Sequence, residues 1–325
     1  MKTLIVLGVV GAVAQLIDGS LGMAYGVTST TLLVAAGIAP AAASASVHFA
    51  EIGTTLASGI SHHKLGNVDW RIVRTLALPG ALGAFAGATI LSSLPAETAT
   101  PVVGAILLTL GLYVLYRFLA LGGRRPEFQG RVRTGFLVPL GLVGGTLDSL
   151  GGGGWGPVGT TSLLSSGRVE PRKVVGSIDT SEFVVAVGGS LGFLVGLGAA
   201  GINWGYAAAL LIGGVIVAPL AAWLVKHLPA RVLGTAAGGL IVVTNSRTLL
   251  LWADAPSSTV TPVLLALAVV WIAAIVWAVR AERRVRARDA VQRGVRDRDD
   301  DDAINGTAAT EAGPARDEEA DPART

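Results

Sequence analysis

Four acidic residues, Asp18, Glu51, Asp148 and Glu182, interrupt otherwise apolar stretches of the chain and fall into two equivalent sets. Asp18 and Asp148 each precede a glycine-bearing break: Asp18-Gly19-Ser20-Leu21-Gly22 in one case, Asp148-Ser149-Leu150 followed by Gly151 to Gly154 in the other. A short carboxylate so placed either caps the N–H groups of the helix that follows or holds a proton or cation beside whatever occupies the break. Glu51 and Glu182 lie inside apolar runs, with His48 and Asp179 three residues earlier, so each pair shares one helix face. An intramembrane carboxylate is costly and faces a cavity or a partner; these two read as proton-coupling or gating groups, or as hydrogen-bonded packing elements.

Around the breaks stand small and hydroxyl residues: Gly22, Gly26, Thr28, Ser29 and Thr30 with Thr31 in the first, and Gly152, Gly153, Gly154, Thr160 and Thr161 in the second. Pro157 suits the first turn of a helix restarting after the glycine run. Two such helix N-termini facing each other would direct N–H groups and positive dipole ends at an anion. The plainer reading is that glycine and threonine let helices pack closely in lipid. Arg247, next to Asn245 and Ser246 near the end of a late apolar run, either snorkels to the interface or attracts an anion entering or leaving. His62, His63 and Lys64 end a segment and read as interfacial.

The elements that must position these residues follow from composition. Of 325 residues only 14% are charged and 51% are hydrophobic, with 44 glycines, no cysteine and a mean hydropathy of +0.62. A soluble domain carries roughly 25% charged residues, so this is an all-α polytopic membrane protein. Apolar runs fall at about 4–38, 39–61, 72–94, 99–121, 134–166, 174–200, 204–225, 232–251 and 260–279. Most suit one crossing of about 20 residues; the first and fifth are longer and contain the breaks. Scattered cations give no nucleic-acid-binding stripe, and without cysteine there is no thiol chemistry. Neither His-Glu-x-x-His nor a phosphate-binding Gly-x4-Gly-Lys-Ser/Thr loop occurs. No cofactor and no metal are expected.

The chain is duplicated. The segment from Asp18 to Thr31 aligns with Asp148 to Thr161, Ser46–Glu51 with Ser177–Glu182, Trp70 with Trp204, and Leu94-Pro95-Ala96 with Leu228-Pro229-Ala230. Two homologous repeats of about four hydrophobic segments result, followed by one extra C-terminal helix. Basic residues cluster at 62–74, 117–133, 168–173, 226–231 and after 280, whereas the gaps near 39–41, 95–99, 200–203 and 252–259 hold no Lys or Arg. With basic loops cytoplasmic, the repeats are inverted and the C-terminus is cytoplasmic; parallel halves are the alternative. The expected organisation is a first repeat at 1–121, a basic loop at 122–133, a second repeat at 134–251, a final helix at 252–280, and a disordered charged tail at 281–325. The tail holds 9 of the 25 basic and 12 of the 22 acidic residues. Its arginines suit an anionic lipid surface.

The stretches from Asp18 to Thr31 and from Gly144 to Pro157 resemble the paired Gly-rich signatures of the sulfite exporter TauE/SafE family. The similarity covers about residues 4 to 280. It implies export or uptake of a small sulfur-containing anion, such as sulfite or an organosulfonate, across the cell membrane, coupled to the proton-motive force. The residues alone reach a duplicated carrier with an anion site. A membrane scaffold or chaperone, or an intramembrane enzyme using Asp18 and Asp148 as acid and base, are the competing classes.

Overall fold

The structure, a computed structural model, describes residues 2–21, 23–120, 132–166, 168–224 and 230–311. Among these residues all regular structure is helical. The first half of the chain forms α1 (Lys2–Leu21), α2 (Tyr25–Ala35), α3 (Pro40–Lys64), α4 (Trp70–Ser93) and α5 (Ala96–Ala120). The second forms α6 (Thr134–Gly151), a π turn (Gly156–Thr160) running into α7 (Thr161–Ser165), α8 (Pro171–Leu197), α9 (Trp204–Leu224) and α10 (Ala230–Trp252). α11 (Ser257–Glu311) follows. Each broken apolar run is thus a long helix plus a short one. The chain divides into two compact units, Met1–Ala278 and Val279–Thr325.

Local chemistry sets the boundaries. Pro40 and Pro171 open α3 and α8 in the first turn, where a missing N–H leaves no bond unmade. The Asp69 carboxylate accepts from the N–H groups of Arg71 and Ile72 at the start of α4, and the Asn203 side chain accepts from Tyr206 N–H at the start of α9. α6 ends on Gly152, whose φ of +68° is the left-handed cap that glycine adopts without strain. Helix α11 continues to Glu311, past residue 280 where the tail was expected to begin; seven Arg and six Ala in residues 281–311 favour helix, against six Asp and two Gly that do not.

The halves interlock. α1 packs on α9, and α6 packs correspondingly on α4; α3 meets α8 and α5 meets α10. The correspondence reaches single residues: Gly11 lies against the Leu210 backbone and Gly141 against that of Leu76. Gly80 makes room for the Trp155 ring as Gly214 does for Tyr25. Along α3 and α8 the neighbours run in opposite order, with Gly59 facing Thr180 and Gly189 facing His48. α5 and α10 are likewise antiparallel, Gly104 meeting Leu249 and Gly234 meeting Phe118.

Outward faces are apolar. Ile5, Val6 and Val9 on α1, Leu78 and Leu82 on α4, Ile212 and Ile216 on α9, and Leu265, Val269 and Val270 on α11 are all exposed. A surface of this kind is covered by lipid rather than water. Among the described residues four helical stretches are long and apolar enough to cross a bilayer: Trp70–Ser93, Ala96–Ala120, Lys173–Leu197 and Ser257–Val285.

Candidate functional site

At the centre the two breaks cross each other. Gly26, in the first turn of α2, packs on the backbone of Gly152 and Gly153; a Cβ at Gly26 would come within 2.5 Å of the Gly152 carbonyl oxygen. A Cβ at Gly153 would fall 1.9 Å from the Val27 nitrogen, so only glycine permits this approach. The Thr30 hydroxyl seals the crossing by donating to the Gly152 carbonyl at 2.9 Å.

Each break is held by its aspartate. Asp18 Oδ1 accepts from Tyr25 N–H at 3.1 Å, and Asp148 Oδ1 accepts from Trp155 N–H at 2.9 Å. Both carboxylates therefore occupy the helix N-termini to which the sequence reading assigned an anion. The aromatic residue that follows anchors each break to a neighbouring helix. The Tyr25 hydroxyl donates to the Leu210 carbonyl at 3.2 Å, and Trp155 Nε1–H donates to that of Ile178 at 3.2 Å.

Beside the crossing, six ionisable groups form two triads related by the repeat: His48, Glu51 and Asp148 in one, Asp179, Glu182 and Asp18 in the other. In the first triad His48 Nε2 lies 3.3 Å from Asp148 Oδ2 and 3.1 Å from the Ser149 hydroxyl, while its Nδ1 donates to the Ser44 carbonyl at 3.0 Å. All three residues are buried, and both oxygens of Glu51 lack a hydrogen-bond partner among the described residues. In the second triad Asp179 Oδ2 accepts from the Ser58 hydroxyl at 2.6 Å and lies 3.5 Å from His62 Nε2. The His62 side chain is 23% exposed.

Asp18, Asp179 and Glu182 line one small cavity together with Glu51, Gln15, Tyr25, Thr54, Thr55 and Ser58. Its volume is about 10 Å³, room for one water molecule. Among the described residues no Lys or Arg lines it. Polar side chains continue from it along one face of α3, through Glu51, Thr55, Ser58 and His62 at steps of three or four residues, toward the basic end of that helix. In the opposite direction the His48 ring stacks edge-on against Phe193 at 5.5 Å, within an apolar cluster of Val27, Leu91, Leu107 and Ile241. Beyond that seal, at the other end of α3, a surface groove of about 590 Å³ is lined by Gly37, Ile38, Ala42 and residues 200–204 and Tyr206.

The structure thus gathers Asp18, Glu51, Asp148 and Glu182, together with Gly26, Thr30, Gly152 and Gly153, into one central region. Gly154 packs against the backbone of Leu147 and Asp148. Thr28 and Ser29 are buried with unpartnered hydroxyls, whereas Thr31 accepts from the Asn245 amide at 2.9 Å. Thr160 is buried in the π turn, and the Thr161 hydroxyl donates to the Pro157 carbonyl. Arg247 is exposed on α10 and does not line the cavity. Gly22 lies outside the described residues, as do residues 121–131, which include most of the predicted basic loop. Sequence reasoning gave no role to Ser44 or Ser58, read His62 only as interfacial and Ser149 only as part of the break; Ser58 and His62 serve Asp179, and Ser44 and Ser149 serve His48. The signal was present: residues 44, 48, 51, 55, 58 and 62 form one polar stripe at helical period.

The family profile described as sulfite exporter TauE/SafE matches residues 7–248. The chain is 48% identical over 282 residues to the Bacillus subtilis (strain 168) protein named "Probable membrane transporter protein YtnM", covering 85% of this chain and 93% of the relative. It is 27% identical over 142 residues to a second protein of that organism, "Probable membrane transporter protein YdhB", covering 43% and 58%. No solved structure matches. A match across most of the chain, with the duplicated Gly-rich breaks at its centre, places this protein in the sulfite exporter TauE/SafE family.

Proposed function

We propose that the protein is a secondary transporter that exports a small sulfur-containing oxyanion, sulfite or an organosulfonate, across the cytoplasmic membrane. Family membership supports the substrate class. The observation that carries the mechanism is the pair of crossed, Asp-capped breaks beside a small acidic cavity, sealed toward one end of α3 and linked by polar side chains to the other. Antiparallel counterpart helices support inverted repeats, the architecture in which two halves rock around a midplane site. With basic loops inside, the polar path leads to the cytoplasm, the groove beyond Phe193 faces outward, and the C-terminus is cytoplasmic.

An anion entering here meets carboxylates rather than cations. At about 5 Å each ionised carboxylate repels it by about 3 kcal/mol at an effective dielectric constant near 20. Protons on Asp18 and Glu182 remove that barrier, so occupancy is linked to protonation. Glu51 and Asp148, at the inner end of the cavity and at the crossing, gate it. The oxyanion then binds when the breaks separate enough to free the N–H groups after Asp18 and Asp148 and the hydroxyls of Thr28, Ser29, Thr30, Thr160 and Thr161. The glycine backbone at Gly22, Gly26 and Gly152 to Gly154 lets it approach, and Arg247 draws it along the way. An inside-negative potential favours outward movement by about 2.3 kcal/mol per charge per 100 mV.

Reconstituted liposomes test this. Sulfite or sulfonate flux should respond to an imposed pH gradient, and the Glu51→Gln, Glu182→Gln double mutant should lose that response. Unchanged pH dependence in the double mutant would sink the coupling role, and absence of flux for every anion tried would favour a scaffold instead.

A further inference from the structure

The first triad has a feature the second lacks: three electron-pair donors converge with too few hydrogens among them. Because Nδ1 of His48 lies 3.0 Å from the Ser44 carbonyl, which only accepts, Nδ1 carries hydrogen. In the neutral ring Nε2 then presents its lone pair to Asp148 Oδ2, 3.3 Å away. Asp148 Oδ1 is already taken by Trp155 N–H, leaving Oδ2 without a hydrogen bond. Glu51 is 1% exposed, and neither of its oxygens has a partner. Donor atoms of the three residues all lie within 4.8 Å of one another. The Ser149 hydroxyl supplies one hydrogen. Even a proton on Nε2 would serve one carboxylate and leave Glu51 buried and unsatisfied, at a cost of several kcal/mol.

We propose that His48, Glu51 and Asp148 bind a divalent transition metal ion of the Zn2+ class. The donor set, one imidazole nitrogen with carboxylate oxygens and no sulfur, suits Zn2+ or Co2+. Two ligands about 2 Å from a tetrahedral ion stand roughly 3.3 Å apart, which is the His48–Asp148 separation. The hydrogen bond from Nδ1 to a backbone carbonyl is the outer-shell support that fixes a metal-ligating histidine in tautomer and orientation. Asp148 is oriented in turn by Trp155 N–H, and the Ser149 hydroxyl or a water completes the fourth position. Entry runs through the small cavity, which Glu51 lines. The second triad does not qualify: it has Asp179 in place of His48, and that carboxylate is engaged by Ser58 and His62. The site rests on this geometry and not on which cargo the carrier moves.

Tag-free full-length protein in detergent, stripped with chelator and titrated with Zn2+ or Co2+, tests the assignment. Expected are one ion per chain by elemental analysis, a rise in melting temperature, and visible Co2+ absorption bands of a low-coordinate N/O site. His48→Gln and Glu51→Gln should weaken binding at least 100-fold, while Glu97→Gln, at the exposed start of α5, should leave it within about threefold. Should His48→Gln fail to fold, the Co2+ spectrum of the unmutated chain and the Glu51→Gln titration still decide. Absence of a stoichiometric ion and of Co2+ bands, or affinity unchanged in both ligand variants, overturns the proposal and leaves protons as the compensating charge.

Discussion

The two triads stand on equivalent positions yet solve opposite electrostatic problems. In the first, His48 supplies a basic nitrogen 3.3 Å from Asp148 and is covered by Phe193 and its apolar neighbours, while Glu51 reaches the small cavity. In the second, Asp179 takes the place of His48, leaving three carboxylic groups; relief comes from Ser58 and the partly exposed His62 on the opposing helix. One residue difference inside matching segments therefore separates a cluster that keeps Glu51 buried without a hydrogen-bond partner among the described residues from one whose Asp179 is served by groups toward the basic side.

Making the triads alike is the harshest way to break that comparison. His48→Asp copies the second triad into the sealed position and should cost about 4 kcal/mol, because it removes the basic partner of a buried carboxylate. The reverse copy, Asp179→His, loses the bonds of a buried carboxylate to Ser58 and His62, but His62 is partly exposed and can turn to water, so the cost should be smaller, about 2 kcal/mol. Thermal unfolding of both variants in detergent checks the asymmetry, and equal losses would refute it. The crossing of the breaks is tested next: Gly153→Ala puts a methyl 1.9 Å from the Val27 nitrogen and should cost about 3 kcal/mol or abolish the monodisperse fold. Gly104→Ala, whose Cβ would meet only the side chains of Leu249 and Thr248, at 3.0 Å or more, is the mild control at about 1 kcal/mol.

Smaller effects sharpen the same contrast. Asp148→Ala removes a wholly buried cap and should destabilise by about 2 kcal/mol, against about 1 kcal/mol for Asp18→Ala at the less buried equivalent. Chemical-denaturant midpoints at matched detergent would show the ordering, and a reversed one would mean that burial does not set the strength of these caps. Arg247→Ala should change stability by less than about 0.5 kcal/mol, since the side chain is exposed on α10. A fall in sulfite flux with stability unchanged would show that Arg247 acts on the anion.

Much of the scaffold could be read from residue order. The nine apolar runs correspond to helices that begin or end within a few residues of the expected limits, because burial in lipid demands long uninterrupted apolar segments and the polar gaps stand out. The broken runs were legible as breaks, but not as two complete helices each, since a glycine run marks where a helix stops without fixing how far the next extends. Asp18 and Asp148 were legible as caps from their place before the glycines. His62 was not legible as a functional partner: its service to Asp179 depends on α3 lying antiparallel to α8, which no local spacing reveals.

By itself the sequence determined that the chain is helical and membrane-embedded, and which few ionisable residues lie within apolar runs, for these follow from composition and from periodicity along single helices. Only the tertiary structure decided that the two glycine breaks fill one another, that the carboxylates sort into two unlike triads, and that Glu51 is left without a hydrogen-bond partner. Contacts between helices more than one hundred residues apart arise from how their faces cross, and that geometry is fixed by packing across the whole bundle rather than by any one segment.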